Sequence, residues 1–401
     1  MENVERRNPP VVVASLSLFW LYYSTLGSFS FSLEPGTTTL ISISLLALVF
    51  AFGWTSRAPL DLSKEFLTLL PVLAIIGSQL LAAWQAGFNV SDRGLYLGVN
   101  FAAFALLFRF YPNLILRSFY LASSIMAIAG WPIELFGLNS FHYKSGFPIN
   151  PLDWRWMGLQ NHPNIAGLTM ALLFAIAVIK YRNIPIATLA LVNIVLAEHR
   201  GGLIGVVLVL GYVSINRFSV WSSSKRLVIG SMWVFGLLIA PFGLTSRLGT
   251  DDISTGRGTI WEICLNQYQK SPIYGNGPNA VTRLFGLDIS STLTPFHCHN
   301  QFLDDLVNFG WIGALFPTFA LFMTLILAMR YKKHVLVGMT LAVGASWFVE
   351  SPFRLFGTQP GAFTNLLLLL MFTWGAQGPL AAKDFSTQDK PRDVTKVAVK
   401  R

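Results

Sequence analysis

The feature that most limits this chain is how rarely its apolar runs are interrupted: from Val11 onward they follow one another with mostly short polar breaks and one long polar interval. A bilayer core of about 30 Å takes about 20 apolar residues of helix, fewer where neighbouring helices cover a short span. By that ruler spans are expected at 11–31, 38–54, 66–86, 94–110, 114–132, 164–180, 184–197, 201–215, 227–244, 303–329, 335–350 and 361–378. The expectation is an all-α polytopic transmembrane bundle over residues 1–380, with about twelve crossings. With 53% hydrophobic and 12% charged residues, the chain has too little polar surface for a soluble domain. Its first apolar run is long enough to span and has no small-residue cleavage pattern after it, so it reads as a first transmembrane helix.

The net charge of +10 does not point to nucleic acid, because the basic residues are scattered between apolar runs rather than gathered on one surface. They report topology instead. With the N-terminus inside, twenty of the 29 Lys and Arg fall on inner segments and nine on outer ones, so both termini are expected in the cytoplasm. The tail 381–401, rich in Lys, Asp and Thr and without apolar periodicity, is expected to be disordered there. The polar clusters then share the outer face: the loop 133–163, the Glu198-His199-Arg200-Gly201-Gly202 turn, the long loop 245–300 and the Ser351-Pro352-Phe353-Arg354 turn. No repeat of fixed period is visible, which argues against solenoid and simple repeat-transporter architectures.

The one long polar interval, 244–313, carries most of the candidate chemistry. Arg200, at the outer boundary of a span, is costly unless it pairs or binds an anion. The competing reading is a salt bridge to Glu198 or snorkelling to the interface. Gly201 and Gly202 beside it let a ligand or another backbone come close. Arg257, flanked by glycines at the start of a short helix, suits a phosphate through its guanidinium fork and the helix N-terminus; a solvated loop arginine is the alternative. His299, next to Asn300 at the mouth of an apolar helix, is the side chain best suited to take a proton from a sugar hydroxyl near neutral pH. A helix-capping or interface histidine is its ordinary alternative.

Other candidates are contacts to substrate. Asp304 and Asp305 can orient His299 or bind a sugar, or they can complement the helix macrodipole. Arg155, His162 and Asn164 form a polar knot that reads either as a donor or acceptor contact or as a Pro-stopped helix cap. No metal is expected, since His297, Cys298 and His299 are too close in sequence to converge on one ion and no second ligand cluster is visible. The only two cysteines, Cys264 and Cys298, share the outer loop, and an oxidising compartment would allow them to bridge.

Several ordered motifs over about 155–315 resemble the O-antigen ligase and O-antigen polymerase family. They are His299-Asn300 followed by Gly310-Trp311-Ile312-Gly313, the run around Arg200, Arg257 with Trp261 and then Pro272, Gly275 and Gly277, and the stretch 158–167. The resemblance implies a metal-independent, cofactor-free glycosyltransferase of the bacterial cytoplasmic membrane. Such an enzyme takes a glycan from a polyprenyl diphosphate carrier on the outer leaflet and joins it to an acceptor hydroxyl on a glycan or lipid-linked sugar. It implies that Arg200 and Arg257 hold the diphosphate and that His299 positions or deprotonates the acceptor. One position departs: His199 stands where members of the family often carry serine.

Displacing a diphosphate from an anomeric carbon develops negative charge, and fixed cations meet that need without a metal. Three alternatives remain at this stage: oligosaccharyl transfer to protein, a small-anion transporter, and a structural or regulatory membrane scaffold. A transporter should place its essential charges near the bilayer midplane on broken helices, whereas these cluster at one face.

Overall fold

The computed structural model describes residues 13, 14, 17, 18, 21, 62–87, 112–137, 152, 154–160, 162–218, 257–278, 280, 281, 297–350, 368 and 371–374, with the backbone alone at 62–69, 112, 217, 218 and 257. The regular elements among them are helical: α1 (Leu62–Gln85), α2 (Pro112–Leu135), α3 (Pro163–Ile176) continued by a π segment (Ala177–Tyr181), α4 (Ile184–Leu196), α5 (Arg200–Phe218), α6 (Arg257–Tyr268), α7 (Gln301–Arg330) and α8 (His334–Val349). Three helices, Asn113–Leu135, Pro163–Tyr181 and Gln301–Arg330, are long and apolar enough to cross a membrane, and α4, α5 and α8 are shorter apolar helices. The expected spans at 38–54, 94–110 and 227–244 and the tail 381–401 lie outside the described residues, as do nearly all of 11–31 and 361–378.

The centre of the bundle is α3. It is apolar on every side, and from Ala166 to Ile176 each of its residues is buried. Its start is fixed locally: His162 sits at the N-cap, Nδ1 accepting from the Asn164 amide, and Pro163 occupies the first turn, where a missing N–H costs nothing. Around α3 pack α2, α4, α5 and α8.

Small residues set the approach of α5 to α8. A Cβ on Gly201 would lie 2.7 Å from Ser346 Cα and 2.7 Å from Val349 Cγ2, and one on Gly205 would lie 3.0 Å from Ala342 Cα. The two helices are therefore antiparallel, with the first turn of α5 against the last turn of α8. Close backbone approach through glycine is how apolar helices gain contact where lipid supplies no hydrophobic drive.

Near the end of α2, Glu134 is fully buried and its carboxylate gathers the loop that follows. Oε1 accepts from the amides of Met157 and Gly158, both at 2.8 Å, and Oε2 accepts from Trp154 Nε1 at 2.9 Å. The loop so held carries Arg155, whose Nε donates to Ala197 O at 2.9 Å and whose Nη2 donates to Asn164 Oδ1 at 2.6 Å. Glu134→Ala strands two buried amides and an indole N–H; at about 1–3 kcal/mol for each unsatisfied donor, the variant is expected to melt well below wild type. Thermal unfolding in detergent reads this, and an unchanged melting temperature would show that the anchor is dispensable.

α7 is two helices joined at a break. Gly310 has φ 61° and ψ −165°, outside anything a helix allows. The break frees carbonyls that must find other donors. The turn 271–277 supplies them: the amides of Asn276 and Gly277 donate to Val307 O and Asn308 O, both at 2.8 Å, while Trp311 N donates to Pro272 O at 2.9 Å. The two glycine-containing motifs, Pro272 to Gly277 and Gly310 to Gly313, are thus two halves of one interlock.

Candidate active site

The loop 297–300 enters α7 with every residue tied down. Cys298 is joined to Cys264 of α6 by a disulfide, the Cα atoms 6.1 Å apart. Its amide donates to Asp304 Oδ1 at 3.0 Å. His299 has φ 50°, a left-handed conformation that a non-glycine residue holds only where its neighbours over-determine it. Its amide donates to Nδ1 of His297 at 3.1 Å. Asn300 is the N-cap of α7, Oδ1 accepting from Leu303 N at 3.0 Å, while its Nδ2 donates to Phe348 O at 3.2 Å. Strained backbone held at both ends is what a preorganised side chain requires.

From this loop the His299 imidazole reaches Glu350, the residue that ends α8. Nδ1 lies 3.1 Å from Glu350 Oε2. The His299 side chain is 26% exposed and that of Glu350 6%. The His297 ring lies tilted against it, 4.0 Å centroid to centroid, with Nε2 3.9 Å from the same carboxylate oxygen. Because Val349 packs on Gly201, the carboxylate that holds His299 stands next to the start of α5, where Arg200 is exposed. Trp261 of α6 meets Phe348 of α8 at 6.1 Å, and with Cys264, Cys298 and Leu303 it belongs to one small buried cluster. The elements that begin with Arg200 and Arg257 and the loop that carries His299 therefore gather at one end of α8. The Arg257 side chain lies outside the described residues.

Other expected contacts are engaged by the protein itself. Asp304 is buried, and its carboxylate accepts from Cys298 N and from Asn308 Nδ2 at 3.2 Å. Asp305 is also buried and accepts from Gln301 Nε2 at 3.1 Å. Asn300 and His162 serve as helix caps and Asn164 clamps Arg155, so these five are engaged within the protein. His199 is buried, its Nδ1 accepting from Gly202 N at 3.0 Å, and its ring lies where any Cβ on Gly167 or Gly202 would fall. Its role is packing between α3 and α5. Gly201 and Gly202 admit Ser346 and the His199 ring.

The ground for expecting no metal needs correction. His297, His299 and Glu350 present ligand-type atoms within 4.8 Å of one another, with Glu350 as the third ligand that the sequence concealed. The hydrogen bonds argue differently. Nδ1 of His297 accepts from a backbone amide, so the neutral ring carries its proton on Nε2, the atom that faces Glu350. A metal would need that nitrogen bare, so the set fits a protonated cluster better than an ion.

Sequence reasoning missed Glu350 and Glu134. Both are lone acids at the ends of apolar spans, and that position is itself the signal, because an ionisable group there persists only with partners.

Residues 185–317 match the family model for O-antigen ligase. No curated protein matches the chain. The matched residues run from α4 into the second half of α7 and hold Arg200, Arg257, His299 and both halves of the 272–277 and 310–313 interlock. Over those residues the chain is similar to O-antigen ligase, and its apolar helices are those of a multi-pass membrane protein. Glu350 lies beyond the matched residues.

The disulfide joins two parts of the matched stretch that are 34 residues apart. In the chain-entropy estimate, closing a loop of that size stabilises by about 3–4 kcal/mol. Cys264→Ser is expected to lower the melting temperature and to free the 297–300 loop. Alkylation followed by intact mass tests the bridge directly: two free thiols in unreduced protein from the membrane would contradict it.

Proposed function

We propose that the protein is a glycosyltransferase that moves a glycan from a polyprenyl diphosphate carrier to an acceptor hydroxyl at the outer face of the cytoplasmic membrane. What supports this is the gathering of the Arg200 turn, α6 and the His299 loop at one end of α8, within residues that match O-antigen ligase. In the reaction the acceptor oxygen attacks the anomeric carbon while His299 takes its proton. The bond from that carbon to the diphosphate oxygen breaks, and the leaving polyprenyl diphosphate keeps the electron pair. Arg200 and Arg257 balance the charge that develops on it, as fixed cations in a site that need not reorganise. The imidazolium then returns its proton to water or to the departing diphosphate. A half-buried imidazole suits this role, since it meets substrate on one side and is held on the other.

The test is reconstitution of the purified protein with a polyprenyl-diphosphate-linked glycan, with products resolved by chain length. A ladder of longer lipid-linked glycans identifies a polymerase, one transfer to a separate lipid-sugar acceptor a ligase, and glycosylated protein an oligosaccharyltransferase. Absence of transfer to every acceptor class, with solute flux in the same vesicles, would replace the enzyme by a small-anion transporter.

A further inference from the structure

Glu350 ends α8 as a buried carboxylate, and its Oε2 meets two imidazoles. A carboxylate only accepts, so the nitrogen 3.1 Å away, Nδ1 of His299, is the one that carries the proton. The other ring nitrogen, Nε2, then keeps its lone pair. His297 cannot supply this function to its neighbour: its own Nδ1 is occupied by the His299 amide, and its Nε2 points to the same carboxylate at 3.9 Å. Resting on the transferase reading above, we infer that Glu350 is a positioning residue, which accepts the Nδ1 proton of His299 and so presents Nε2 as the base for the acceptor hydroxyl.

Three features of the fold make this arrangement rigid. The left-handed backbone of His299 fixes where its ring begins, the disulfide and the Asn300 cap fix the loop on either side, and Asn300 Nδ2 binds Phe348 O two residues before Glu350. The two partners therefore cannot drift apart independently. A buried carboxylate next to an imidazole also stabilises the imidazolium that forms when the proton arrives, which is the second service an acid gives a histidine base.

Glu350→Gln removes the charge and keeps the shape. A glutamine can turn its amide N–H toward Nδ1 as readily as its oxygen, so the tautomer is no longer enforced. The expected result is kcat lower by roughly 100- to 10,000-fold with the donor KM within about threefold of wild type, and Glu350→Asp recovering part of the loss. The decisive measurement is independent of turnover: nitrogen-15 spectra of histidine-labelled full-length protein in lipid bilayers, with the His299 signals assigned by their loss in His299→Asn. Wild type is expected to show a protonated Nδ1 and a bare Nε2 at His299, and Glu350→Gln a mixed or reversed pattern. A wild-type His299 protonated on Nε2 overturns the inference without any variant, as does a Glu350→Gln protein with normal kcat. So does zinc retained stoichiometrically by wild type and lost in Glu350→Gln, which would make the cluster a metal site. If His299→Asn transfers at the full rate, it is the transferase assignment of His299 that fails, and the spectra still report on the Glu350 contact.

Discussion

His299→Ala and Arg200→Ala, each reconstituted with a lipid-linked glycan donor, are expected to transfer at about a hundredth of the wild-type rate or less while reaching the membrane at near-normal abundance. The magnitude follows from what each group supplies. A positioned general base contributes about 100- to 10,000-fold, and a fixed cation or donor at developing negative charge about 100- to 1,000-fold. Folding should survive because neither side chain builds the core. Arg200 is exposed, and His299 is only partly covered. The loop around His299 is secured by Cys298 and Asn300. His299→Asn is the cleaner variant, since its amide can still donate to Glu350 yet has no basic nitrogen. Arg200→Lys should restore little, because an ammonium lacks the fork that holds two phosphate oxygens at once. Initial rates at saturating donor, normalised to protein in the bilayer, decide the matter; a His299→Asn enzyme within tenfold of wild type would remove the base from the mechanism.

Gly310→Ala is expected to abolish folded protein, an effect out of proportion to one methyl group. At φ 61° and ψ −165° the backbone lies in a region that only glycine visits freely, and occupying it with alanine costs of the order of 1–3 kcal/mol. The new Cβ would also fall 2.3 Å from Ile273 O and 2.6 Å from Gly275 N. Those are backbone atoms that cannot swing aside, because the turn is pinned by the bonds from Asn276, Gly277 and Trp311 across the break. Forcing them apart adds overpacking strain and leaves buried polar groups without partners, a combined penalty of several kcal/mol against a total stability of about 5–15. Gly77→Ala is the matched control: it lies within α1, and nothing stands within 4 Å of its added Cβ. It should be neutral or slightly stabilising. Yield of monodisperse protein after solubilisation and its melting curve separate the two, and a Gly310→Ala protein as stable as the control would mean that the interlock does not hold α7 in its broken form.

Much of the candidate site is legible in the sequence because its residues carry local signals. His299 and Asn300 stand at a polar-to-apolar switch, and an Asn there is an N-cap by the ordinary rule. His162 before Pro163 reads the same way, and the structure takes its capping alternative. Arg200 stood out through the cost of a charge at a span boundary. Asp304 shows the limit of such reading: its helix-start position and its i, i+4 partner Asn308 are local, but its acceptance from Cys298 N depends on how the loop folds back.

The sequence alone determined that the described residues form apolar helices and where these begin and end to within a few residues, and it placed the candidate reactive groups beside α5, α6 and the entrance to α7. Hydropathy and capping act over one or two helical turns, so a linear string carries them. Only the tertiary structure decided that Gly201 seats α5 on the end of α8, that Pro272 to Gly277 splints the break at Gly310, and that Glu350 closes on His299. Those pairings join positions that are far apart in the chain, and they rest on backbone approach and buried hydrogen bonds that no local pattern encodes.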